Sequence, residues 1–150
     1  MNQVNFCNSF VFNIFKFNNY HFTDCSKNPA PRHYFGYLTK GTCIIKTAHT
    51  ELTLKPGEVF YIPKGLKYQS QWFGAEENKI EFYSFGFAIA PTENSFVLQK
   101  ISCTPTAKAI FEELRTQIPF TEKGIGILYR FFGEVAEQME YAKKPAVILP

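Results

Sequence analysis

The 150-residue chain contains no run approaching the ~18 consecutive apolar residues of a membrane span. Its first residues, Met1-Asn2-Gln3-Val4-Asn5, also lack the basic segment and unbroken apolar stretch of a secretory leader. A soluble, cytoplasmic protein is expected. No C-x-x-C pair occurs: Cys7, Cys25, Cys43 and Cys103 stand far apart, which favours reduced, buried thiols over a zinc ribbon or a redox dithiol. Basic clusters are missing too. A formal charge of +3, from 16 Lys and Arg against 13 Asp and Glu, offers no concentrated surface for neutralising phosphates, so these residues are not expected to contact DNA. Of the three histidines, none of His21, His33 and His49 holds a spacing to Asp24, Glu51 or Glu81 that marks a general base with its orienting carboxylate.

Aromatic residues, by contrast, are abundant. With 17 Phe and 8 Tyr they are numerous enough to fill the interior of a β-barrel, and the length suits one domain with a real core. Short β-branched and aromatic runs recur between turn residues: 10–17, 33–39, 43–47, 51–55, 59–62, 68–73 and 80–87. That spacing predicts a sandwich or barrel, with an eight-stranded jelly roll as its natural closure. Phe10, Phe12 and Ile14 share one face of the first strand.

The most informative stretch is Pro56-Gly57-Glu58-Val59-Phe60-Tyr61-Ile62-Pro63-Lys64-Gly65-Leu66-Lys67-Tyr68. It reads as turn, buried strand, turn, strand. Gly57, Pro63, Gly65 and Tyr68 are spaced as in the second signature of the cupin superfamily, which this segment resembles. In metal-binding cupins the last position is histidine, whereas a tyrosine, with a pKa of about 10, is a poor ligand at neutral pH. Counting back from Gly41, the upstream glutamate and two histidines of the first signature are replaced by Tyr34, Ala30 and Asn28, and a one-residue shift only substitutes Pro29 and Lys27. His33 nearby has no partners. The resemblance therefore implies the barrel without a metal, and no cofactor is expected.

After Ser102 the periodicity becomes helical. Thr104-Pro105 makes an N-cap and first-turn pair, and Ala107, Ile110, Phe111, Leu114 and Ile118 share a face up to Pro119. A second helix is predicted from about Thr121 to Lys144, where Lys143, Lys144 and Pro145 close it. Ile125, Leu128, Phe132, Val135, Met139 and Ala142 form an a/d seam. Packing against the barrel explains that seam, but Ile127, Tyr129 and Phe131 add apolar area beside it. A homodimer through Ile125, Leu128, Phe132, Val135 and Met139 is the expectation. The predicted organisation is a cupin-like barrel over 1–102, a helical dimerisation segment over 103–144, and a linker beginning at 145–150 that leads to a further domain.

A metal-less cupin barrel followed by an antiparallel helix pair resembles the N-terminal effector-binding and dimerisation domain of AraC-type transcription regulators. The likeness is carried by Gly36 to Gly41, Leu54 to Pro63, Ile80 to Phe85 and Ile127 to Phe132. It implies a barrel that binds a small effector, such as a sugar or small carboxylate, helices that pair two subunits, and a helix-turn-helix module elsewhere that reads DNA. It implies no enzyme. Strand parity, anchored on the superfamily's ligand positions Asn28, Ala30, Tyr34 and Tyr68, sends Arg32, Gly36, Leu38 and Lys40 inward, with Ser70, Trp72, Phe82 and Ser84. The ligand-binding candidates are Arg32, Tyr34, Lys40, Tyr68, Trp72, Phe82 and Ser84, the cations for an anionic or polyhydroxylated ligand and the aromatics for stacking. The rival readings are a metal-free cupin enzyme of sugar epimerase or isomerase type, and a plain carbohydrate-binding jelly roll.

Overall fold

The computed structural model describes residues 10–75, 79–88, 95–102, 104–116 and 122–142. Nine strands, β1 (Phe10–Phe17), β2 (Tyr20–Cys25), β3 (His33–Lys40), β4 (Thr42–Lys46), β5 (Glu51–Leu54), β6 (Val59–Ile62), β7 (Tyr68–Phe73), β8 (Ile80–Phe87) and β9 (Gln99–Ile101), precede two helices, α1 (Pro105–Arg115) and α2 (Glu122–Val135). The strands form a five-stranded sheet, β1-β8-β3-β6-β9, and a four-stranded sheet, β2-β7-β4-β5, each fully antiparallel. This is the jelly-roll barrel followed by a helix pair that the sequence predicts.

Burial along the strands reveals three layers. In β4 and β7, buried and more exposed residues alternate, as expected for a sheet with one face in the core and one in water. In β6 all four residues are buried, and β8 is buried at every position except the half-buried Glu81. The five-stranded sheet is therefore covered on both faces. One face, with Leu38, Phe60, Ile62, Ile80 and Phe82, meets Cys43, Ile45, Leu54 and Trp72 of the opposite sheet. The other, with Phe35, Val59, Tyr61, Tyr83 and Phe85, is covered by Phe111 of α1 and Leu128, Phe131 and Phe132 of α2.

Thr104 caps α1 as expected, its hydroxyl accepting from the Ala107 N–H at 3.2 Å, with Pro105 in the first turn. The second helix is shorter than predicted. It ends at Val135, passes into a 3₁₀ turn over Ala136–Gln138, and extends at Met139, so that Tyr141 bridges Phe96 rather than continuing a helix. Ile118, Pro119, Lys143 and Lys144, on which the predicted helix ends depended, lie outside the described residues, as do Cys7, Cys103 and the segment 145–150.

The seam assigned to dimerisation lies in the interior of the chain itself. Leu128, Phe132, Val135 and Met139 are buried among the barrel aromatics, Ile125 packs at their edge, and the off-seam Ile127 and Phe131 are buried in the same cluster. Six of the remaining positions of α2, Glu122, Lys123, Gly126, Arg130, Gly133 and Glu134, are exposed and carry no large apolar side chain. One sheet face and α1 thus cover what the sequence reading reserved for a second subunit.

Candidate functional site

A cavity of about 270 Å³ lies between the two sheets, lined by Phe15, Phe17, His21, Thr23, Tyr34, Phe60, Ile62, Tyr68, Ser70, Trp72, Phe82 and Ser84. Topology explains where it opens. β1 is an edge of one sheet and β2 an edge of the other, and the two are joined only by Asn18-Asn19 without pairing to each other. Phe15 and Phe17 from β1 face His21 and Thr23 from β2 across that seam. Phe15 keeps 37% of its surface exposed, which puts it at the rim.

Rim and walls are aromatic. Phe17 stacks on His21 at 3.7 Å between ring centres and 6° between planes. Trp72 stacks on Phe82 at 3.9 Å and 12°, linking the two sheets across the interior, and Phe15 lies on Phe82 from the other side at 4.9 Å. Phe60 reaches its place because Gly36, its strand partner, has no side chain: a Cβ there would fall 2.0 Å from the Phe60 ring. The turn that delivers β6 is set by Gly57, whose φ of 91° lies in the left-handed region and whose N–H donates to the Leu38 carbonyl at 2.7 Å.

Polar groups are few. Trp72 Nε1 donates to Ser70 Oγ at 3.0 Å, and His21 Nε2 pairs with Thr23 Oγ1 at 3.1 Å. Burial lowers the His21 pKa, so at neutral pH its imidazole is uncharged. Burial, helped by a hydrogen bond with Cys25, raises the Tyr68 phenol well above its ordinary value. Tyr34 is raised as well, chiefly by burial, against a smaller opposing pull from Arg32. Among the described residues, no Asp, Glu, Lys or Arg lines the cavity.

Tyr34, Tyr68, Trp72, Phe82 and Ser84 are therefore gathered around one cavity as predicted, with Ser70 beside them. Arg32 and Lys40 are not. Arg32 is exposed in the approach to β3, one residue before the strand begins, so strand parity does not govern it. Lys40 follows a register shift between Leu38 and Lys40 and points outward, 57% exposed, to pair with Glu81 at 3.6 Å. Within the regular part of β3 the parity holds: Tyr34 and Leu38 face the opposite sheet and Phe35 faces the helices. Of the superfamily's ligand positions, Tyr34 and Tyr68 line the cavity, Ala30 is buried nearby, and Asn28 is exposed. Among the described residues no three His, Cys, Asp or Glu side chains cluster as metal ligands would.

Phe15, Phe17, His21, Thr23, Phe60 and Ile62 were absent from the predicted site. β2 went unread because its alternation is inverted: the aromatic Tyr20 and Phe22 face outward and the polar His21 and Thr23 face the cavity. Its signal is the preceding Asn18-Asn19 turn with β-formers after it. β1 pairs with the barrel as predicted, and of its two faces the one with Phe12 packs toward the helices while the opposite one, with Phe15 and Phe17, lines the cavity.

No family model matches the sequence, and no curated protein matches it. Solved structures do. The chain superposes on ToxT from Vibrio cholerae with a TM-score of 0.61 at 11% identity, over 87% of this chain and 57% of that one. The fold is shared with ToxT. A ToxT structure with a bound unsaturated fatty acid matches over 92% of this chain and 57% of that one, with a TM-score of 0.62 at 12% identity. Another ToxT structure, bound to (E)-4-(8-methylnaphthalen-1-yl)but-3-enoic acid, matches with a TM-score of 0.61 at 11% identity over 87% of this chain and 57% of that one. This chain thus spans somewhat more than half the length of ToxT.

Proposed function

We propose that the chain is the effector-binding domain of an AraC-type transcription regulator, holding a small molecule in the cavity between its sheets. One observation carries this reading: a sandwich that shares its fold with ToxT keeps an accessible cavity of about 270 Å³ instead of filling it with its 17 Phe side chains. That volume is just under the ~300–1,000 Å³ of small-molecule sites, and the lining has their character, apolar walls with a few convergent polar groups. The ToxT structures with a fatty acid and with an arylbutenoic acid support small-molecule binding on this fold. DNA reading belongs, on the resemblance, to a helix-turn-helix segment outside these residues.

An acid-base enzyme is the weaker reading, because among the described residues no carboxylate lines the cavity to orient His21, whose described hydrogen-bond partner is Thr23. Carbohydrate binding is disfavoured by the same poverty of polar groups. One of the two faces of the Trp72 indole is already covered by Phe82.

Thermal unfolding against sugars, small carboxylates and uncharged amphipathic compounds tests the proposal, with Thr23→Phe as an occluded control. A ligand of the cavity stabilises the wild type by mass action, about 2.7 kcal/mol at a hundredfold excess over its Kd, and leaves Thr23→Phe unshifted. Equal shifts in both proteins would place the binding elsewhere and sink the reading.

A further inference from the structure

The chemistry of the lining narrows the ligand. None of the twelve described lining residues is Asp, Glu, Lys or Arg: five are Phe or Trp, one is Ile, and six carry a hydroxyl or an imidazole. Three of those six are already engaged, Ser70 by the Trp72 indole and Thr23 and His21 by each other. Tyr68 is tied to Cys25. Ser84 and Tyr34 remain, and neither makes a side-chain hydrogen bond among the described residues. Ser84 is the strand partner of Gly36 on β3, two residues from Tyr34, so both hydroxyls stand on one face of one sheet within a diagonal step. No buried polar atom among the described residues lacks a partner, so the Ser84 oxygen, in a residue 8% exposed, reaches the open space of the cavity.

Charge is disfavoured in that space. An ion brought into it would lose its water and meet no opposite charge, a cost that a hydroxyl or carbonyl group escapes. Arg32 is exposed and outside the lining, although its charge is felt at the Tyr34 phenol. A dry cavity of about 150 Å³ accommodates benzene, so about 270 Å³ suits roughly two fused rings. The walls made by Phe15, Phe17, Phe60, Trp72 and Phe82, whose rings already stack in part on one another, favour a flat apolar body that packs against their remaining faces and edges.

We propose that the cavity takes an uncharged, flat molecule of about two fused rings, with one hydroxyl or carbonyl group held by Ser84 and Tyr34. This rests on the reading of the cavity as an effector site and adds the chemical class.

Two probes on one naphthalene body test it, 2-naphthol and 2-naphthoate, with 2-naphthamide as the uncharged isostere of the acid, titrated calorimetrically into the 150-residue chain at pH 7.5, into Ser84→Ala and Tyr34→Phe, and into the occluded Thr23→Phe. The expected result is saturable binding of 2-naphthol, at least about tenfold tighter than 2-naphthoate, weakened about fivefold in Ser84→Ala or Tyr34→Phe and abolished in Thr23→Phe. Circular dichroism confirms that each variant is folded. If 2-naphthoate binds as tightly as 2-naphthol and loses that affinity in Arg32→Ala, the uncharged class is overturned while the effector site stands. If neither probe binds, or 2-naphthol binds Thr23→Phe as well as wild type, the inference is overturned. The thermal-unfolding screen, which includes sugars and carboxylates, then decides separately whether the cavity is an effector site at all.

Discussion

Gly36 and His33 lie on opposite faces of β3 and show how single residues set the two faces of one sheet. Any side chain at Gly36 would collide with Phe60, the ring that forms part of the cavity wall. Gly36→Ala is therefore expected to cost about 1–3 kcal/mol through overpacking and to weaken ligand binding at the same time, as read by chemical denaturation and by titration of the folded variant. On the helix side, His33 Nδ1 accepts from the Tyr61 hydroxyl at 2.8 Å and from the Lys64 N–H at 3.3 Å, which requires the proton to be on Nε2. Burial first, and the Lys64 charge second, lower its pKa below the ordinary 6.5. A lowered folded-state pKa means that the unfolded chain takes up the proton more readily. The stability held above about pH 6.5 is thus lost as the pH falls toward the folded-state value. His21 contributes in the same direction through its own burial. Denaturation midpoints measured at about pH 7.5 and about pH 5.5 should fall on acidification, and His33→Gln should shrink that fall. An unchanged pH dependence in His33→Gln would contradict the assigned role.

Helix α2 is the element whose reading changed most. Its stripe was legible as apolar periodicity, but periodicity reports that a face is buried and not what buries it. The five-stranded sheet presents Phe35, Tyr83 and Phe85 outward, and those rings take up Leu128, Phe131 and Phe132. Leu128→Ala should accordingly lower unfolding stability by about 2–5 kcal/mol, as a buried large-to-small change does, with a loss that does not vary with protein concentration. Sedimentation of the folded variant alongside wild type checks this, and a variant that dissociates while keeping its stability would restore the intersubunit seam. Elsewhere the sequence was a good guide. The Gly57 to Tyr68 spacing placed β6, the start of β7 and the cavity-facing Tyr68, because glycine turns and a short β-branched run leave few alternatives. β2 was missed because its aromatic residues, Tyr20 and Phe22, lie on the exposed face while polar residues line the cavity, the reverse of the usual pattern. Arg32 and Lys40 were misplaced because parity extends only through regular strand, and β3 begins after one and bulges before the other.

At the scale of the whole molecule, one sheet serves two cores. Its helix side is packed with aromatic rings, Phe111 stacked on Phe85 at 4.6 Å and Phe131 edge-on to Phe111 at 4.6 Å, while its inner side keeps a cavity that opens between two edge strands not paired to each other. A ligand wedged between β1 and β2 would bridge the sheets, and β1 carries Phe12 against the helix-side core as well. The cavity and the helix-side core thus share one strand, and that is the expected connection between them. Hydrogen exchange on the ligand-bound chain is expected to show added protection in β1 and β2 beyond that of β4 and β5, and protection confined to β4 and β5 would break that connection. The most direct test of the account is a crystal structure of the chain with the tightest compound from the unfolding screen. The account predicts electron density between the sheets, in contact with Phe60, Trp72 and the Ser84 hydroxyl. Density on the outer surface, or a cavity closed by its own Phe side chains with the compound elsewhere, would contradict it.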